Sequence, residues 1–556
     1  MKTCLSALPL FGAALLASAC TTVEQPARQA APALALVDAP AGQVEGRLDD
    51  GIRSFKGIPY AQPPIGPLRW KPPKPLPRWR GVEDAGDFGD SCVQLRANPA
   101  ASSVYADEPG PTSEDCLTLN IWGDVDARDA PVMVWIHGGA LVSGGTRFGM
   151  YDGESLAREG VVYVSINYRL GPLGYLAHPE LSAESARGIS GNYGLLDQIA
   201  ALRWIKDNIA AFGGDPERIT IAGESAGALS VLYLMASPDA RGLFQQAISQ
   251  SGYMISSPEL SKPAHGHYSG EALGLWLQEK LGATNIAEMR AMDAQSLTDR
   301  AIGAGYLTWG TVDGKLLPRQ TVETFDRGEQ APVPLLAGYN GGEIRSLRRL
   351  LAPAPATAQA YSAAIEKSYG DLAETFLTLY PSSDIDESML AATRDAMYGW
   401  TAERMVAGQQ KLDQPSFLYL FDHGYPAADA AGLHAFHASE IPYVLGNVDR
   451  ITPAWPAIPD TPGEHAFAKS LAEYWAAFVK DGTPSATDAP VWPAFGAERN
   501  IMVFADDIDP RAGGIGAAFE LQDRIVCRRL TAGGISWHWN VGIASPENPG
   551  PTAQCK

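Results

Sequence analysis

The sequence predicts an α/β protein: one large, mostly parallel central sheet covered by helices on both faces. Three observations lead there. Val132–Ile136 (VMVWI) and Val161–Ile166 (VVYVSI) are unbroken apolar runs, the mark of strands buried on both faces rather than one. Pro334–Gly338 and Phe417–Phe421 repeat that pattern much later, and stretches with apolar residues at helical spacing lie between. Ile219–Ala228 (ITIAGESAGA) reads as a short strand, a Gly-x-Ser-x-Gly turn and the small residues that open a helix. Strands alternating with helices give a parallel sheet with both faces covered.

In chain order, residues 1–19 read as a signal peptide. Lys2 is the positive end, Leu8–Leu16 is an apolar run too short to span a bilayer, and Ala17-Ser18-Ala19 is a small-residue cleavage site. Cys20 follows at once, so two processing routes compete: ordinary cleavage, or lipidation of Cys20 at a lipobox that departs from the commonest pattern at Ala17. Cysteine parity bears on the choice. Once Cys4 leaves with the signal, Cys20, Cys92, Cys116, Cys527 and Cys555 remain, and a lipidated Cys20 leaves an even number to pair. In an oxidising compartment the natural pairs by proximity are Cys92–Cys116 and Cys527–Cys555. The expected location is outside the cytoplasm: periplasmic or outer-membrane-anchored as a lipoprotein, otherwise secreted. Residues 20–40, rich in Ala, Pro and Gln, read as a flexible tether, and 41–556 as a single domain with no internal repeat or clean linker.

Gly42–Phe55 alternates as a hairpin around Asp49-Asp50-Gly51, and a Pro-rich path runs through Pro77. Tyr193–Ala210 has helical spacing and closes on Gly213-Gly214-Asp215-Pro216. Helical patterns recur over 258–304 and 352–412. Of 556 residues, 46% are hydrophobic and 19% charged, a globular composition. With 43 Lys and Arg against 63 Asp and Glu, the net charge is −20. Phosphate backbones repel such a chain, so nucleic acid is not an expected partner, and a membrane is one only through the N-terminal lipid.

The turn at Gly223-Glu224-Ser225-Ala226-Gly227 forces its central Ser into a strained conformation with the hydroxyl exposed. Gly is needed at 223 and 227 because a Cβ there would strike the neighbouring strand or helix. Farther up the chain stands Glu114-Asp115-Cys116-Leu117-Thr118-Leu119-Asn120. Together the two motifs resemble the type-B carboxylesterase family, which includes cholinesterases, lipases and bacterial para-nitrobenzyl esterases. GIPYAQPPIGPLRW at 57–70, GNYGLLDQIAALRWIKDNIAAFGGDP at 191–216, TVDGKLLP at 311–318 and YWAAFVKDGTP at 474–484 are similar to the same family, so the likeness spans about residues 40–510.

The resemblance implies an α/β-hydrolase fold with helical excursions forming the rim of a gorge, and a serine carboxylic ester hydrolase acting on small-molecule esters. It also implies the order nucleophile, acid, base. A Ser hydroxyl needs an imidazole to take its proton and a carboxylate to orient that imidazole. His437, in HASEIPY, matches the family's histidine motif; Glu440-Ile441-Pro442 sets the register and excludes His434. Glu343, in Gly338-Tyr339-Asn340-Gly341-Gly342-Glu343, matches the acid, although Gly342 and Ile344 stand where the family has Asp and Gly. The oxyanion donors implied are the amides of Gly139, Ala140 and Ala226, with His137 a support beneath the turn. Glu224 is expected as a structural carboxylate, and Arg69–Glu114 as an ion pair anchoring the disulfide loop. Leu141, Trp309 and Phe436, with Tyr253 and Tyr443, are candidate pocket residues for which core packing is the alternative. His434 and His437 have no Cys or carboxylate at ligand spacing, so no metal and no organic cofactor is expected. Two rival readings are a neuroligin-like adhesion module, which would lack the nucleophile, and a serine peptidase, which would need a propeller or a peptide-terminus pocket.

Overall fold

The structure, a computed structural model, describes residues 33–95, 103–106 and 108–555. The signal segment, Cys20 and the tether up to residue 32 lie outside the described residues. The described chain enters on an antiparallel meander of β1 (Ala33–Ala39), β2 (Gly42–Asp49) and β3 (Ile52–Pro59), with β4 (Val82–Asp84) alongside β2. Residues 33–39, expected to end the tether, are therefore an edge strand. The cause is a period of two: Ala35, Val37 and Ala39 turn inward while Leu34 and Leu36 face out. The expected hairpin at Asp49-Asp50-Gly51 is the β2–β3 turn, with Asp50 and Gly51 at positive φ.

A separate ribbon of β5 (Ser91–Cys92) and β6 (Thr112–Ser113) brackets the loop closed by the Cys92–Cys116 disulfide. The main sheet then takes β7 (Thr118–Asp124), β8 (Ala130–Ile136), β9 (Val162–Ile166), β10 (Gly214–Glu224) and β11 (Gln246–Gln250). It is completed by β12 (Leu335–Asn340), β13 (Ser416–Phe421), β14 (Ile501–Phe504) and β15 (Ile508–Arg511). The order is β1-β2-β3-β7-β9-β8-β10-β11-β12-β13-β14-β15, parallel from β9 to β14.

Both faces of the sheet are dry. Val132, Val134 and Ile136 of β8 enter one apolar core, whereas Met133 and Trp135 enter the other. An unbroken apolar run is what such a strand needs. The helix that follows Ser225, Ala226–Ala236, is buried along its whole length, so its sequence has no polar face. The last helix, Ala517–Ala532, is tied to the C-terminal tail by the Cys527–Cys555 disulfide. Among the described residues no helix is long and apolar enough to cross a membrane.

Candidate active site

Parallel strands present their C-terminal ends on one edge, and the order β8-β10-β11-β12-β13 brings the motifs together there. β8 runs into His137-Gly138-Gly139-Ala140, β10 into Ser225, β12 into the loop of Glu343, and β13 into the segment that returns through His437. The residues are 94 and 118 positions apart in pairs, so only the sheet makes them neighbours.

Ser225 stands between β10 and its helix at φ 56°, ψ −120°, a conformation that L-residues adopt only under constraint. The flanking glycines supply the constraint. A Cβ on Gly227 would lie 2.0 Å from the Ile136 carbonyl oxygen, and one on Gly223 would lie 2.5 Å from the Gly227 backbone. No side chain fits between β8 and the first helical turn, so the chain must turn sharply and lift the hydroxyl. Ser225 is half-buried; its neighbours are fully buried.

The turn His137-Gly138-Gly139-Ala140, expected to carry the oxyanion donors, lies directly against this residue. A Cβ on Gly138 would come within 3.2 Å of the Ser225 Cβ. Gly139 has φ 104° and Ala140 φ 55°, and the Gly139 carbonyl accepts from the Val142 and Ser143 amides, 3.0 Å each. The amides of Gly139, Ala140 and Ala226 donate to no acceptor among the described residues. His137 supports the turn from below, as expected. Its Nδ1 is 2.9 Å from the Gly138 oxygen, its ring stacks on Tyr168 at 4.6 Å, and burial pushes it down to about 4, so it stays neutral.

His437 and Glu343 are buried, and Nδ1 of the imidazole is hydrogen-bonded to Glu343 Oε2. Glu343 Oε1 accepts from the Asn340 amide at 2.9 Å, which fixes the carboxylate plane. The two departures around the acid now have reasons. A Cβ at Gly342 would lie 2.6 Å from the Leu433 carbonyl oxygen, because the acid loop bridges to Phe436 and donates its Gly342 amide to the Ala435 oxygen, 2.8 Å. Ile344 is buried in the main core. A second buried layer lies beside His437: Asn340 Nδ2 donates to the Phe436 oxygen (2.8 Å) and to Glu440 Oε2 (2.5 Å), and Gln250 Nε2 donates to Glu440 Oε1 (3.0 Å). His434, three residues earlier, is half-exposed and pairs with Asp429 and Asp422.

Glu224 differs from the expectation of a purely structural carboxylate. Its Oε1 lies 3.1 Å from Nε2 of His437, so the imidazole sits between two carboxylates, and it makes no hydrogen bond to Ser225 Oγ. Burial pushes Glu224 up to about 8. Burial also works against a charged imidazole, but Glu224 and then Glu343 outweigh it and hold His437 up at about 9. The sequence carried the signal, a carboxylate beside the nucleophile, without showing which way it points.

The pocket candidates divide. Phe436 and Tyr443 are fully buried in the second core, against Trp455 and Phe421, which is the core-packing alternative. Leu141 is buried in the main core, and Trp309 packs half-buried on that core. Tyr253 does approach the site. Its ring meets Tyr398 at 6.1 Å and Trp539 at 5.7 Å, and Tyr398 lies 5.2 Å from the His437 ring. Tyr398 rides on a π-helical turn, Asp395–Gly399, and Trp539 on the C-terminal tail; neither lies in a motif that marked it beforehand.

The profile of the carboxylesterase family matches residues 33–511. The chain belongs to the carboxylesterase family. It is 35% identical over 493 residues to the fumonisin B1 esterase of Sphingopyxis macrogoltabida, covering 85% of this chain and 86% of that one. It is 35% identical over 484 residues to the para-nitrobenzyl esterase of Bacillus subtilis, covering 84% and 93%. A solved PNB esterase superposes with a TM-score of 0.75 at 32% identity, over 86% of this chain and 97% of that one. The fold is thus that of the α/β-hydrolases, and the carboxylesterase-family chain is a carboxylic ester hydrolase.

Proposed function

We propose that hydrolysis runs through an acyl-enzyme on Ser225, with His437 as general base and acid and Glu343 as its orienting carboxylate. The observation that supports this most directly is the imidazole itself: Nδ1 is engaged by a buried carboxylate, which leaves Nε2 facing the nucleophile turn. Ser225 Oγ attacks the ester carbonyl as Nε2 takes its proton. The negative charge on the tetrahedral oxygen falls to the amides of Gly139, Ala140 and Ala226, each worth roughly 3 kcal/mol of barrier. His437 returns the proton to the leaving alcohol, then activates the water that releases the acid. In the structure Nε2 lies 3.1 Å from Glu224 Oε1, and the proposed base–nucleophile bond forms as substrate fills the site.

Ser225→Ala tests the reading, because Oγ carries the chemistry and no packing. Turnover of a para-nitrophenyl ester is expected to vanish with the thermal melt unchanged; near-wild-type turnover overturns the assignment. A chromogenic peptide amide assayed beside the ester separates an esterase from a peptidase, and a panel varying acid and alcohol independently defines the substrate. We further propose that the enzyme acts outside the cytoplasm, tethered by lipid at Cys20. Disulfides persist in such a compartment, which suits the two cysteine pairs. Labelling with a radioactive fatty acid, lost in Cys20→Ser, is the expected result; an unlabelled wild type refutes the anchor.

A further inference from the structure

We infer that Tyr105 is a positioning residue, a clamp by which the Cys92–Cys116 loop holds the acid and base loops at working distance. The inference rests on the proposed triad. The Tyr105 hydroxyl is 2.8 Å from the carbonyl oxygen of His437 and 2.7 Å from Ser346 Oγ. A carbonyl only accepts, so the phenol donates its one proton to His437; the Ser346 hydroxyl must then donate to the phenol oxygen. Ser346 lies three residues beyond Glu343, on the acid loop, and His437 is the base itself. One oxygen therefore links the acid loop, the base loop and a third segment. Burial raises Tyr105 well above its ordinary value, so the donor keeps its proton wherever the enzyme works.

Aromatic rings frame the clamp. The Tyr105 ring packs edge-on against Trp455 (6.1 Å) and the His437 ring (6.4 Å). Its loop is closed by the disulfide and held at its far end by Arg69. That guanidinium binds both oxygens of Glu114 and donates to the carbonyls of Arg290 and Met292. The backbone bridge between Gly342 and Phe436 ties the acid and base loops on one side of the Glu343–His437 bond. Tyr105 ties them on the other, beyond Glu343 at Ser346 and at His437 itself, and it is a side chain from outside both loops.

The test compares Tyr105→Phe, Ser346→Ala and the double variant on para-nitrophenyl acetate. Losing the hydroxyl is expected to lower kcat about tenfold while KM changes less than about twofold, since the phenol does not touch the substrate. Ser346→Ala is expected to cost less, and the double variant no more than Tyr105→Phe alone, because Ser346 acts only through the phenol. Wild-type kcat in Tyr105→Phe overturns the clamp. So does a kcat loss that simply follows a lowered melting temperature, or strict additivity in the double variant. Covalent phosphonylation of Ser225 keeps the two readings apart: absent labelling in Ser225→Ala bears on the triad, and the labelling rate in Tyr105→Phe bears on the clamp.

Discussion

In the proposed mechanism the hydroxyl at position 225 gains reactivity from His437 and Glu343, and the carboxylate at position 224 lies against the same imidazole. A base must be neutral to act, so activity is lost as pH falls through the value of His437. That value is raised to about 9, with Glu224 the foremost raising neighbour, ahead of Glu343 and Glu440, against the opposing effect of burial. The acid limb of kcat/KM therefore lies on the alkaline side of an ordinary imidazole. Glu224→Gln removes that neighbour, and the limb is expected to move to lower pH; a superimposable pH profile refutes the coupling. Because Glu224 is itself raised, the two titrate as a unit and the limb belongs to the pair. Glu343→Gln leaves the imidazole without its orienting acceptor and is expected to lower kcat by about four orders of magnitude. A mild effect in steady-state kinetics would move the acid elsewhere.

At the level of elements, the decisive contact is between β8 and the helix that starts at Ala226. They approach so closely that Gly227→Ala would place a methyl 2.0 Å from the Ile136 carbonyl oxygen, a backbone atom that cannot step aside. Overpacking of this kind costs about 1–3 kcal/mol or more. It also tilts the turn, so activity is expected to fall further than stability, as paired thermal melts and rate assays would show. The C-terminal helix poses a separate question. Cys527–Cys555 closes a loop with a sequence separation of 28, and removing it by Cys527→Ser with Cys555→Ser is expected to cost about 3 kcal/mol. The tail it holds carries Trp539 beside Tyr398, so a melt lowered by a few degrees should come with altered ester preference. An unchanged melt would show that the tail docks without the covalent tie.

The molecule as a whole carries a charge of −20, and the site lies at the edge of a sheet buried in that field. Steering by such a field is screened within about 10 Å at 0.1 M salt. The ratio of kcat/KM for a cationic ester to that for a neutral isostere is expected to fall as salt rises from about 10 to about 200 mM. A flat ratio would show that the local charge around Ser225, rather than the total, governs encounter.

Much of this was legible in the residues alone. Apolar runs marked the buried strands, two glycines marked a turn with no room for side chains, and His437 and Glu343 stood in recognisable surroundings. These are local properties: periodicity and steric exclusion are written in consecutive positions. What only the tertiary structure decided is orientation between distant segments. That Glu224 turns toward His437, that Gly342 is bare because the Leu433 carbonyl passes over it, and that Tyr105 crosses from a disulfide loop to the base all depend on how separate strands are ordered. So does the burial of Phe436 in the second core. No spacing along the chain encodes such distances, because the sheet closes gaps of about a hundred residues by packing and hydrogen bonding.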